Sequence, residues 1–156
     1  MSIILTLALP VVAIFGNLFA VTLHKKIPDF VLQCVCLFLV SGCLIGGVIA
    51  CLSTKQFIFT LLGFTLVCLL VSSSNSVVTS VFPLFMKGKV NSGLISGVLN
   101  GFCYVGSTIS SYGLGLIVDA WGWTVMFWFL FAVCVFICFI GIIYTHIKLY
   151  IAKKEI

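Results

Sequence analysis

The chain has 156 residues, of which 63% are hydrophobic and only 7% charged, and its formal net charge is +5. A soluble domain of this size needs a charged surface, and eight basic and three acidic residues cannot build one. A soluble class is thereby excluded, and an all-α integral membrane protein, counted in membrane spans, is expected.

The first apolar run goes from Met1 to Leu23 and ends in His24-Lys25-Lys26. Its length, about 22 residues, suits a membrane helix. No charged residue precedes it, so the basic start of a signal peptide is missing. Pro10 and Gly16 would bend or thin this helix, which membrane helices tolerate. Pro28 and Asp29 open a second run, Phe30 to Leu52, closed by Ser53-Thr54-Lys55-Gln56.

The third run contains the polar stretch SSSNSVVTS at residues 72–80. If that stretch were a loop in water, the helix before it would be Phe57 to Val71. At about 1.5 Å per residue it would measure roughly 22 Å, short of the ~30 Å hydrocarbon core. The stretch is therefore expected to be helical and at membrane depth, with Pro83 near the helix end. A fourth run goes from Asn91 to Val118, and Asp119-Ala120-Trp121-Gly122 turns the chain. A fifth goes from Trp123 to Tyr144, before a tail with Lys148, Lys153 and Lys154. The expected organisation is one polytopic membrane helix bundle over 1–156, with five spans at 2–23, 30–52, 57–81, 91–118 and 123–144.

All basic residues are lysines, and they lie between the spans. Segments after the first, third and fifth spans carry Lys25, Lys26, Lys87, Lys89, Lys148, Lys153 and Lys154, against Lys55 alone on the other side. This asymmetry puts the C-terminus in the cytoplasm and the N-terminus outside. The positive charge orients the chain in lipid. No nucleic acid is expected as a partner, because no basic patch with interleaved aromatics exists.

No Asp, Glu, Lys or Arg lies within a span, so a proton relay or intramembrane ion pair is not encoded. In the third span Ser72, Asn75, Ser76, Thr79 and Ser80 follow spacings of three and four and form a stripe. In the fourth, Ser92, Ser96, Asn100, Ser107 and Ser111 do the same, with Tyr104 in the gap. Gly93, Gly97 and Gly101 run beside them, followed by Gly106 and Gly113, and the expected role of these glycines is helix packing. Asn has donors and acceptors that need partners, so it must face protein or water. Asn75, Asn100, Tyr104 and Ser107 are therefore candidates to line a substrate path, with Asn17 of the first span a weaker one. The first and fourth spans would face that path, the third would edge it, and the bulky, apolar second and fifth would brace the outside.

The eight cysteines all fall within apolar runs, where Cys serves as a small apolar residue. No His or carboxylate joins Cys134 and Cys138, so no metal site and no cofactor are expected. His24 and His146 sit near span ends, and no Ser/His/Asp set converges, which points away from an enzyme.

Residues 87–127 read KGKVNSGLISGVLNGFCYVGSTISSYGLGLIVDAWGWTVMF. This stretch resembles the end of major facilitator superfamily transporters, most of all the organophosphate:phosphate antiporter group. The resemblance rests on Gly97, Asn100-Gly101, Tyr104, Gly106, Gly113, Asp119, Gly122-Trp123 and Phe127. It implies a partial major facilitator fold in which the five spans correspond to the family's eighth to twelfth helices. It further implies the C-terminal portion of a secondary-active transporter, moving a small solute by alternating access and incomplete on its own. Its partners would be lipid, the solute, and either the missing N-terminal transporter helices or a partner membrane protein, in a multi-pass plasma-membrane location. The family's phosphate-gripping arginines belong to helices outside this resemblance, and this chain has no Arg, so phosphate specificity does not carry over. The alternative is a non-transporting membrane subunit that offers its Gly-rich helix to a partner.

Overall fold

The computed structural model describes residues 2–86, 88 and 91–154, and these form helices and turns without strands. Side chains are described for 11–86, 88, 91–148, 150 and 151. Helix α1 runs Ser2–His24, α2 Phe30–Ser53 and α3 Phe57–Ser76. A π-helical segment, Val77–Val81, and a short α4, Phe82–Phe85, continue α3. Helix α5 runs Ser92–Trp121 and α6 Trp123–Lys154. Among the described residues, four stretches are long and apolar enough to cross a bilayer: Phe30–Ser53, Phe57–Phe85, Ser92–Trp121 and Trp123–Lys148. In α1 the stretch Val11–His24 is apolar but shorter than a span, and the side chains of residues 2–10 of the expected first span lie outside the described residues. Large apolar side chains stand open around the bundle, such as Phe57 at 78% exposure and Phe102 at 73%. A surface of that kind matches lipid and not water.

Local chemistry sets the helix ends. The Asp29 carboxylate accepts from the Val31 and Leu32 N–H groups and caps α2. Asn91 caps α5 in the same way through Gly93 and Leu94. Gly122 closes α5 with φ 82°, a left-handed conformation that glycine adopts without strain, and its N–H donates to Val118. Helices α5 and α6 thus reverse direction in a single residue.

In cross-section α3 is flanked by α1 and α2, α2 by α3 and α6, and α6 by α5. Helix α5 touches the π segment and α4, so α3, α2, α6 and α5 close a loose ring, and α1 packs against α3. Ile45, Val48, Val67, Met126, Phe127 and Cys134 form one buried cluster between α2, α3 and α6. Ala20, Leu37 and Val77 form a second between α1, α2 and the π segment.

Three glycines mark the close helix crossings. A Cβ on Gly16 of α1 would lie 2.6 Å from the Leu69 carbonyl oxygen of α3, one on Gly63 would lie 2.7 Å from Val48, and one on Gly141 would overlap Val35. Small residues at such points let backbones approach, as is common between membrane helices.

The expected division into inner polar helices and outer apolar ones needs correction. Helix α2, expected to brace the outside, is the central helix, with Gln33, Val35, Leu37, Ser41, Gly42, Ile45 and Val48 buried. Helix α6 also contributes Met126, Phe127, Cys134 and Cys138 to the core. Helix α5, expected to face the path, has no residue buried within this chain. The reason is physical: lipid and a neighbouring helix are both apolar, so apolarity does not say which of them a helix face meets.

One end of the bundle collects the end of α1, the start of α2, α4 and the later part of α6. There His24 stacks on Phe30 at 4.6 Å, Phe82 and Phe85 meet Phe30 edge-on, and Lys148 pairs with Asp29. Lys25 and Lys26 belong to the same end, next to His24 in the chain. Lys55 and Asp119 follow or precede turns at the opposite end. Lys87 and Lys89 lie outside the described residues, as do the side chains of Lys153 and Lys154.

Candidate functional site

The SSSNSVVTS stretch is helical throughout, first α and then π. Three of its hydroxyls bond to helix carbonyls. Ser73 and Ser74 donate back to the Leu69 and Leu70 carbonyls, and Thr79 to that of Asn75, at 2.8–3.2 Å. Ser73, Ser74, Ser76 and Thr79 are buried. Ser73 Oγ also lies 2.8 Å from the Gly16 carbonyl oxygen, the point where α1 crosses α3.

The π segment has a cause in Pro83. Proline has no N–H to give the carbonyl four residues earlier, which is Thr79, and its ring crowds that carbonyl. Ser96 Oγ of α5 donates to the Thr79 oxygen at 2.9 Å. One end of α5 is thereby fastened to α3, while Leu114, Ile117 and Val118 hold its other end against the core cluster.

Between these two attachments α5 stands away from α1 and α3, and a cleft of about 570 Å³ opens. Asn17 of α1, Ser72 and Asn75 of α3, and Asn100, Tyr104 and Ser107 of α5 line it, so the cleft brings all four sequence-derived path candidates together. Asn17, Asn75, Asn100, Tyr104 and Ser107 are exposed to it. No Asp, Glu, Lys, Arg or His is among the lining residues. The polar stretch thus has two sides: one is locked into helix contacts, and the other presents Ser72 and the Asn75 amide to the cleft.

The expected packing glycines are placed differently. A Cβ on Gly97, Gly101, Gly106 or Gly113 would meet no atom within 4 Å, and one on Gly93 would meet only the Asn91 cap at 3.4 Å. Within this chain, packing falls to Gly16, Gly63 and Gly141 instead.

Sequence reasoning missed two further features. Gln33 is fully buried, donates to the Ala20 carbonyl at 2.9 Å and meets His24 Nδ1 at 3.1 Å, tying α2 to α1. The signal was an amide near the start of an apolar run, opposite a His at the end of the preceding one. The Asp29–Lys148 pair joins residues 119 apart, and no spacing rule reads that. Among the described residues no group of three or more His, Cys, Asp and Glu side chains forms a metal-binding cluster. Cys134 and Cys138 are buried against α2, and Cys138 Sγ lies 3.7 Å from the Val35 carbonyl.

No protein-family model, no curated protein and no solved structure matches this chain.

Proposed function

We propose that the chain is the C-terminal portion of a multi-pass secondary transporter of the plasma membrane, moving a small solute by alternating access. The resemblance to the end of major facilitator superfamily transporters belongs to this proposal. The observation that carries it is the convergence of Asn17, Ser72, Asn75, Asn100, Tyr104 and Ser107, from three helices, on one cleft in an otherwise apolar bundle. Amides facing lipid would go unsatisfied at a cost of several kcal/mol each, on the order of the apolar-transfer penalty, so a wet path is the favoured surrounding. The lysine asymmetry supports a cytoplasmic placement of the end that holds His24, Asp29 and Lys148. Further helices, beyond those described, would supply the opposite wall and rock against this one.

The test is access from water. Asn75→Cys and Asn100→Cys, in native membranes, should react with a small water-soluble thiol reagent, read on the labelled peptide. Phe136→Cys, on the apolar outer side of α6, should not. Equal inertness at all three positions would remove the path.

A second reading is a non-transporting subunit that packs against a partner membrane protein. It is favoured by the bare small-residue face of α5, where Gly97, Gly101, Gly106 and Gly113 meet nothing. Gly97→Ile with Gly101→Ile should then release a separate co-purifying protein, while labelling at position 75 stays at the lipid level.

A further inference from the structure

The cleft carries more than a location, because its donors and acceptors limit what it can hold. We infer that the cleft binds an uncharged, polyhydroxylated solute of monosaccharide size. This rests on the transporter reading and names its substrate class.

The first step is electrostatic. The lining has no carboxylate, ammonium, guanidinium or imidazole, and the described charged side chains lie at the bundle ends. An anion or cation brought between apolar helices sheds its hydration, and a neutral wall returns no counter-charge. This wall therefore offers an ionic solute of either sign no counter-charge, and its own chemistry suits a neutral one.

The second step is the type of hydrogen bond on offer. Each Asn amide presents two N–H donors and a carbonyl acceptor, and each Ser hydroxyl both donates and accepts. Asn17, Asn75 and Asn100 come from three different helices, with Ser72 and Ser107 beside them. None of these three amides has a hydrogen-bond partner on another described residue through its side chain, and all three are exposed to the cleft. Groups that give and take at once are matched by groups that do the same. Alcohol groups do so; an ionised carboxylate only accepts, and an ammonium only donates.

The third step is shape. Tyr104 stands 74% exposed, with a flat apolar ring face beside its polar tip. Ala13 and Val71 add apolar surface. A ring with C–H on its faces and hydroxyls on its rim meets both kinds of surface. The volume, about 570 Å³, lies within the range of small-molecule sites.

Cys103, native and half-buried, lines the same cleft and serves as a reporter, with Cys43, exposed on the apolar side of α2, as the lipid-facing reference. The chain is labelled in native membranes with a water-soluble maleimide, and each cysteine is read on its own peptide. Glucose and sorbitol should slow Cys103 labelling by the factor 1 + [L]/Kd, about tenfold at ten times Kd, and leave Cys43 unchanged. Osmotically matched glucose 6-phosphate and choline should not slow it. Fast labelling of Cys103 that no neutral polyol slows, or that glucose 6-phosphate alone slows, overturns the substrate class while the wet path stands. Cys103 as inert as Cys43 overturns the path and, with it, the substrate class. Asn100→Leu should abolish protection by glucose while Cys103 still labels; protection that survives it also counts against the inference.

Discussion

Ser73 Oγ lies 2.8 Å from the carbonyl oxygen of Gly16 on the neighbouring helix, at the closest approach of α1 and α3. The contact needs both residues. A Cβ at position 16 would come within 2.6 Å of the Leu69 oxygen and 3.3 Å of Ser73 Oγ, and backbone cannot swing aside. Gly16→Ala is expected to destabilise the bundle by about 1–3 kcal/mol, the range for overpacking a well-packed site. Gly97→Ala is the contrast: its Cβ meets open space, and alanine gains up to about 1 kcal/mol in helix propensity. Thermal unfolding in detergent should show the midpoint falling for the first substitution and not for the second. Equal losses would mean that the α5 glycines are packed within the chain after all.

The Thr79 carbonyl, which Pro83 cannot serve, is where α5 is fastened by Ser96. Ser96→Ala removes the donor and should cost about 0.6 to 1.7 kcal/mol, as interhelical hydrogen bonds between membrane helices do. The effect should be local. Amide exchange should speed up over the first turns of α5 and stay unchanged near Gly122. Pro83→Ala restores a backbone N–H that competes for the same carbonyl, so it should loosen the same end of α5 without touching Ser96. Uniform acceleration along the whole of α5 would contradict a point attachment.

Much of this architecture is legible in the sequence, and the remainder is not, for identifiable reasons. Helix length against bilayer thickness makes SSSNSVVTS helical, and the helix does continue through it to Phe85. Three-and-four spacing puts Asn100, Tyr104 and Ser107 on one helix face, and they do share the cleft with Asn75. Spacing within a helix says nothing of which neighbour a face meets. The glycine pattern of α5 looks like a packing motif, yet the crossings are made by Gly16, Gly63 and Gly141, which stand in no pattern. The central place of α2 was illegible because an apolar face suits lipid as well as protein. Gln33 was legible in principle, since a lone amide in an apolar run must find a partner, and His24 and Ala20 provide it.

The two sides of the polar stretch should respond differently to mutation. Asn75 and Asn100 face the cleft and hold no helix contact together, so Asn75→Leu and Asn100→Leu should leave the unfolding midpoint level or raise it. Under the proposed transporter function, solute movement should nevertheless be lost. Ser73→Val does the reverse chemistry: it removes a buried hydroxyl donor that lies 2.8 Å from two carbonyl oxygens and should lower the midpoint. Transport assays beside unfolding curves separate the sides. A stability loss for both leucine variants as large as that for Ser73→Val would mean that the amides are structural.

At the end of the bundle the Asp29 carboxylate holds two roles, capping α2 and pairing with Lys148. The hydrogen bond from Lys148 pulls its pKa below the ordinary aspartate value, against a smaller opposing effect of desolvation, with help from the Leu32 N–H, the Lys148 charge and the Val31 N–H. A carboxyl with a lower pKa when folded binds fewer protons than in the unfolded chain, so its contribution is present above the unfolded value and is lost as pH falls through the folded one. The acid limb of the stability profile should therefore show a decline below about pH 4, with none between pH 5 and 8 from this group. Asn at this position still caps a helix but cannot form the ion pair. Asp29→Asn should flatten the decline while keeping the cap, whereas Asp29→Ala should in addition lose about 1 kcal/mol of capping at neutral pH. Both partners are partly exposed, so raising the salt should weaken the pairing and leave the cap intact. Unfolding midpoints of the three proteins between pH 3 and 7, at low and high salt, check this directly. An unchanged acid decline in Asp29→Asn would assign it to other groups.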